Sequence, residues 1–375
     1  MKTKTLMLGI DKFPASSPHI KNYSKKPKEI AFSIKDLFHH YWLIKYDDNE
    51  PHPTVYEYEK FLAACNDWRF KGAGIGRDKE SKRNVSNELG KAFTRWFLYN
   101  YENLTYFSPF EEHFKTKYPD GSYWEKKTKG DLPDFLCGTN DRDIRLAEAK
   151  GRYSSVSFTN KEFDEFREQI QRVVLKNSAN NLISVKGYIS ACQWATEETP
   201  RTKTKLLVED PDTDGEFPEQ EGYSSSIGLR MISHHYVTVL ERLMLHSYAE
   251  SLQNEYRITN PIGHTISVWE VALGPMKGRR FVGGIIDNKQ NNNCDCYFHG
   301  YNIKSHILRP PQIIFALDQK IFEHVIIACR NGIDSVEYFP QLDAVAGNNS
   351  NISIHRDGTL IAPESYMIFV GEIQI

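Results

Sequence analysis

The chain has 375 residues, 40% of them apolar and 26% charged, with a formal net charge of −2. That length exceeds one typical core and predicts two domains or one enlarged one, and the composition excludes a disordered chain. Near-neutral charge excludes a protein that coats nucleic acid by bulk charge, so any phosphate-binding groove has to be local.

The opening "MKTKTLMLGIDKF" holds too short an apolar run for a secretory leader. No stretch approaches the roughly 18 apolar residues of a membrane span. Six cysteines lie scattered without framework spacing, which predicts a reduced, cytoplasmic setting. Residues 1–50 read as irregular. Phe61, Leu62, Cys65 and Trp68 recur at helical spacing in 56–70. "KGAGIGRDKESKR" (71–83) reads as a flexible basic connector, because no Gly-Lys-Ser/Thr follows its glycines as a phosphate loop requires. Residues 1–80 together read as an N-terminal extension.

The pattern becomes regular from 84. "NVSNELGKAFTRWFLYN" sets Leu89, Phe93, Trp96 and Phe97 on one helical stripe, with Asn84 or Ser86 as N-cap. A strand is expected in 102–110 and a polar, basic stretch in 115–134. "PDFLCGTNDRDIRLAEAKG" (133–151) then gives two strand arms about a turn near Asn140–Asp141. A second helix is expected over 159–177, apolar at Phe163, Phe166, Ile170, Val173 and Val174, and strands over 182–195 and 203–210. An acidic linker or loop (211–226) precedes a β-rich C-terminal α+β domain, 227–375, with one helix across 230–252. That domain would recognise substrate or partner, or drive assembly.

Two metal patterns are set aside. Asp210, Asp212, Asp214, Gly215 and Glu221 satisfy the calcium-loop spacing, but Pro211 and Pro218 interrupt it and no helix leads in. Cys294, Cys296 and His299 offer half of a zinc site with no second pair.

The remaining candidate is Glu148-Ala149-Lys150. Glu-x-Lys is cheap: Glu80/Lys82, Glu125/Lys127, Asp287/Lys289 and Asp318/Lys320 imitate it. Only at 148–150 does a hairpin bring another acid, Asp134, roughly opposite Ala147 and Glu148, while strand alternation projects Glu148 and Lys150 together. Two adjacent carboxylates repel unless a cation compensates them. An oxygen-rich pair suits Mg²⁺ or Mn²⁺, the ions of phosphodiester hydrolysis. The plain alternative is a charged hairpin edge with a solvated Glu148–Lys150 pair.

"PDF" and "EAK", with thirteen residues between Asp134 and Glu148, resemble the PD-(D/E)XK nuclease superfamily of restriction, repair and anti-phage enzymes. The resemblance covers about 84–210. It implies a restriction-endonuclease-like α-β-β-β-α-β core over 81–210, a mixed central sheet flanked by helices. By the same resemblance Asp134, Glu148, the Ala149 carbonyl and Glu88 would hold Mg²⁺ (or Mn²⁺). Lys150 would orient the attacking water, and Gln169 or Gln171 would lend support from the second helix. Lys126, Lys127, Lys129 and Arg152 cluster in sequence around the motif as nucleic-acid-binding candidates. The expectation is a metal-dependent nuclease, endonuclease before exonuclease and DNA before RNA, without a membrane partner. By analogy alone it would be a restriction or phage-defence effector, acting as a homo-oligomer or with a defence-system partner. The competing expectation is a non-catalytic subunit that uses the same fold to bind nucleic acid or a partner.

Overall fold

The computed structural model describes residues 3–14, 17, 20, 22–44, 61–114, 116–211, 225–260, 263–286, 312–336, 338–343 and 352–375. The protein is mixed α/β and divides into two compact units between Ile232 and Ser233.

In the first unit, β1 (Thr3–Asp11) pairs antiparallel with β2 (Lys28–Ser33), which leads into helix α1 (Ile34–Trp42), N-capped by Ser33. Helix α2 (Lys79–Tyr101) is followed by β3 (Tyr106–Pro109), the single turn α3 (Glu111–Phe114) and β4 (Tyr123–Lys126). The hairpin β5 (Phe135–Asn140) and β6 (Asp143–Arg152) precedes helix α4 (Lys161–Gln171). Then come β7 (Val173–Lys176), β8 (Leu182–Ile183), β9 (Lys186–Gln193) and β10 (Lys205–Glu209). Among the described residues, seven strands form one sheet in the order β2-β1-β10-β9-β6-β5-β3, and β4, β7 and β8 form a small separate one. In the large sheet β1 runs parallel to β10 and β6 parallel to β9; its other pairs are antiparallel.

Helices α2 and α4 cover opposite faces of this sheet at β6. Helix α2 buries Leu89, Ala92, Phe93 and Phe97, and glycines let its backbone close on the strand. A Cβ on Gly151 would lie 1.8 Å from the Ser86 carbonyl oxygen, and one on Gly90 2.8 Å from the Gly151 nitrogen. On the other face Ile170 of α4 fills the space left by Gly187, the β9 partner of Leu146. Residues 146 and 151 point to opposite sides by strand alternation, which fixes one helix on each face.

The boundary between units falls within helix α5 (Ser225–Arg242). The second unit continues with α6 (His246–Asn254), β11 (Thr265–Val271), β12 (Arg280–Ile286) and β13 (Ile313–Asp318). Helix α7 (Gln319–Asn331), β14 (Ser353–Ile354), β15 (Thr359–Pro363) and β16 (Met367–Gln374) complete it. Its six described strands form an antiparallel sheet in the order β14-β15-β13-β12-β11-β16.

Several elements differ from the sequence expectation. The opening is not irregular, and residues 3–44 are not an appendage. β1 buries Leu6, Leu8 and Ile10 and sits inside the main sheet beside β10. Helix α2 starts at Lys79, where Asp78 and Ser81 form a reciprocal capping box, so Asn84 and Ser86 are interior rather than N-caps. Residues 62–70 are not helical; Leu62 bridges Phe70 instead. The second helix stops at Gln171 because Val173 and Val174, β-branched, pair with Lys126 and Glu125 of β4. The expected helix across 230–252 breaks after Arg242, with Met244 at φ 60°, and a new helix begins at His246. Helix α7 was not expected at all. Residues 212–224, with most of the calcium pattern, and Cys294, Cys296 and His299 lie outside the described residues.

Candidate active site

The β5–β6 hairpin sets the geometry. Phe135 pairs with Ala147 and Leu136 with Leu146, so Asp134, one step before β5, comes level with Glu148. Its carbonyl accepts from the Phe110 backbone N–H at 3.1 Å, which holds the segment where the strand begins. The Asp134 Oδ2 accepts the Ala149 backbone N–H at 2.9 Å and so takes the place of a further strand partner. In a strand the N–H and C=O of one residue point to the same side, so the Ala149 carbonyl is directed toward Asp134 as well.

Glu148 lies on β6 with its side chain fully buried, and among the described residues no donor other than Lys150 reaches its carboxylate oxygens. The Lys150 ammonium is ion-paired with its Oε1. Burial, and then the charge of Asp134, push the Glu148 carboxyl well above the usual carboxylate range, and Lys150 and Lys91 offset part of this. Lys150 also lies 5.7 Å from the centre of the Phe166 ring of α4, with the Arg152 guanidinium 5.0 Å from the same ring. The aromatic face limits where the ammonium can rest.

Asp134, Glu148 and Lys150 are therefore brought together. Glu88 is held differently: its Oε2 accepts from the Tyr41 hydroxyl of α1 at 3.2 Å. The α2 residue that reaches Asp134 is Lys91, one turn further on, with its Nζ 3.0 Å from Oδ1. Sequence reasoning passed over Lys91; its i, i+3 spacing from Glu88 on the same face was the available signal. Of the two glutamines, Gln169 is buried and donates to the Leu132 carbonyl at 2.7 Å, bracing the segment that presents Asp134. Gln171 is exposed.

The basic candidates are dispersed around this cluster. Lys126 donates to the Gly130 carbonyl, and Lys127 and Lys129 are exposed on the loop before Asp134. Arg152 is tied to Glu162 at 2.8 Å. A cavity of about 340 Å³ between the end of β1 and residues 20–25 shares no residue with this site.

The donor set fits a hard divalent cation. It offers two carboxylates and a backbone carbonyl, and among the described residues Lys150 is the sole donor to the buried Glu148 carboxylate, fewer than a buried carboxylate in a purely structural role normally has. Glu88 stands apart from this donor set, since its Oε2 accepts from the Tyr41 hydroxyl. No family model, no curated protein and no solved structure matches the chain, so the class of protein has to be argued from the site itself.

Proposed function

We propose that the chain is a metal-dependent nuclease of the PD-(D/E)XK kind, hydrolysing phosphodiester bonds, in DNA ahead of RNA. The observation that carries this reading is the buried Glu148 carboxylate, level with Asp134 and reached, among the described residues, by no donor other than Lys150. The order of α2, β3, β5, β6, α4 and β9, and the adjacency of those four strands, support an endonuclease-like core.

Asp134, Glu148 and the Ala149 carbonyl would hold Mg²⁺ or Mn²⁺. Such an ion supplies charge neutralisation at a phosphoryl oxygen and an acidified water. Lys150, kept near Glu148 and the Phe166 face, orients the attacking water and stabilises the anionic phosphate. Ala149 donates its N–H to fix one Asp134 oxygen, and Gln169 steadies the segment before it.

One observation favours the competing reading of a non-catalytic subunit. Two ammonium groups, Lys91 and Lys150, already balance the two carboxylates. Incubation with plasmid, linear DNA and RNA, in Mg²⁺, Mn²⁺ or EDTA, separates the two. Cleavage that requires the metal and is lost in Asp134→Ala and Lys150→Ala is the expected result. Cleavage surviving both substitutions would sink the site, and metal-independent binding without cleavage would favour the subunit.

A further inference from the structure

The charge count at the site poses a problem that the metal reading leaves open. Among the described residues, the two carboxylates face the ammonium groups of Lys91 and Lys150, so a divalent ion added beside these four leaves an excess of two positive charges in a largely buried place. One ammonium has to move. Lys150 has the more enclosed position: its side chain is 22% exposed, its carboxylate partner is fully buried, and Phe166 stands beside it. Lys91 is 36% exposed, on the long flexible stem of a lysine, and its partner Asp134 is itself open to solvent at 17%. Solvent can receive the Lys91 ammonium at far lower cost than the Lys150 ammonium.

We propose that Lys91 is an internal competitor for the metal ion. Its ammonium holds the Asp134 carboxylate while no cation is present and leaves Oδ1 when one is taken up. This rests on the metal-dependent reading above. Released, the ammonium stays on α2 at the open side of Asp134, where an anionic phosphate oxygen is its natural next partner. Lys91 is thus a positioning residue that links the loading of the ion to the arrival of the nucleic-acid backbone. The link is reciprocal: whatever draws Lys91 away from Asp134 tightens the ion.

The test is direct Mn²⁺ binding by titration calorimetry on the full chain, without nucleic acid and therefore without turnover. Lys91→Met keeps the length of the side chain and removes the charge, and it should bind Mn²⁺ about three- to tenfold more tightly than wild type. Lys91→Gln, also neutral, should move in the same direction, while Lys91→Arg should stay within about twofold of wild type. A residue that merely supports the fold would weaken binding when replaced, not strengthen it. Equal or weaker binding by both neutral variants overturns the role of Lys91 while leaving the metal site standing. Absence of Mn²⁺ binding in wild type and variants alike overturns the metal reading and this inference with it.

Discussion

Glu148→Gln tests the central residue of the site through stability rather than activity. Wild type buries a carboxylate that has Lys150 as its sole donor among the described residues and that Asp134 repels. Gln is nearly isosteric and neutral, and its oxygen can still accept from Lys150. Lys150 is not stranded by the change, because its side chain is 22% exposed. The metal-free variant should therefore gain about 1–2 kcal/mol. In a unit of this size that raises the melting temperature by roughly 2–8 °C. The sign with pH follows from the raised carboxyl. Its contribution is fully present below the unfolded-state pKa and is lost as pH rises through the folded-state one, so the advantage of the variant widens from pH 5 upward. If the proposed metal site holds, Mn²⁺ should reverse the order: at 100 times its dissociation constant it would add about 2.7 kcal/mol to wild type, roughly 5–10 °C, and little to the variant. Melting curves in EDTA and in Mn²⁺ read both effects. A variant that melts below wild type in EDTA, or that Mn²⁺ stabilises as much as wild type, refutes the assignment.

Three further outcomes are expected. Gly151→Ala would put a methyl carbon 1.8 Å from the Ser86 carbonyl and should destabilise the first unit by about 3 kcal/mol or more, seen as a lowered melting temperature. Gln169→Ala leaves the Leu132 carbonyl without its 2.7 Å donor and, on the proposed nuclease reading, should lower the cleavage rate about tenfold, with Mn²⁺ affinity changed by less than threefold. Burial raises the Asp210 carboxyl from 3.8 to about 6, despite Lys186 at 2.8 Å. That contribution is complete below about pH 4 and lost as pH rises through 6, so Asp210→Asn should flatten the fall in melting temperature between pH 4 and 7, a span worth up to about 3 kcal/mol.

What was readable beforehand follows the range of each interaction. The facing of Asp134 and Glu148 was legible because a hairpin register depends only on its own turn and alternation. The alternation that projects Glu148 and Lys150 together was legible for the same reason, while the helix they face was not. Lys91 was missed because Glu88 offered a more familiar charge on the same helix face, and nothing local says which of the two turns toward Asp134. Gln169 and Gln171 were indistinguishable until helix α4 was placed, since the two lie on nearly opposite sides of the helix and its placement decides which is buried. β7 was read as helix because Val173 and Val174 continue the apolar stripe of Phe163, Phe166 and Ile170; their strand partners lie in β4, far back in the chain.

The parallel pairing of β1 with β10 carries a consequence for synthesis. Met7 has to find Lys205, and Ile10 has to find Val208. At 5–20 residues per second, a ribosome needs roughly 10–40 s to supply β10 after β1 has emerged. Through that interval β1 has β2 on one flank, while the flank destined for β10 has no partner yet. The nascent chain thus carries an open apolar edge for most of its translation, and the sheet closes only once nearly the entire first unit has been made. Truncations ending between β9 and β10 should aggregate where chains ending after α5 do not.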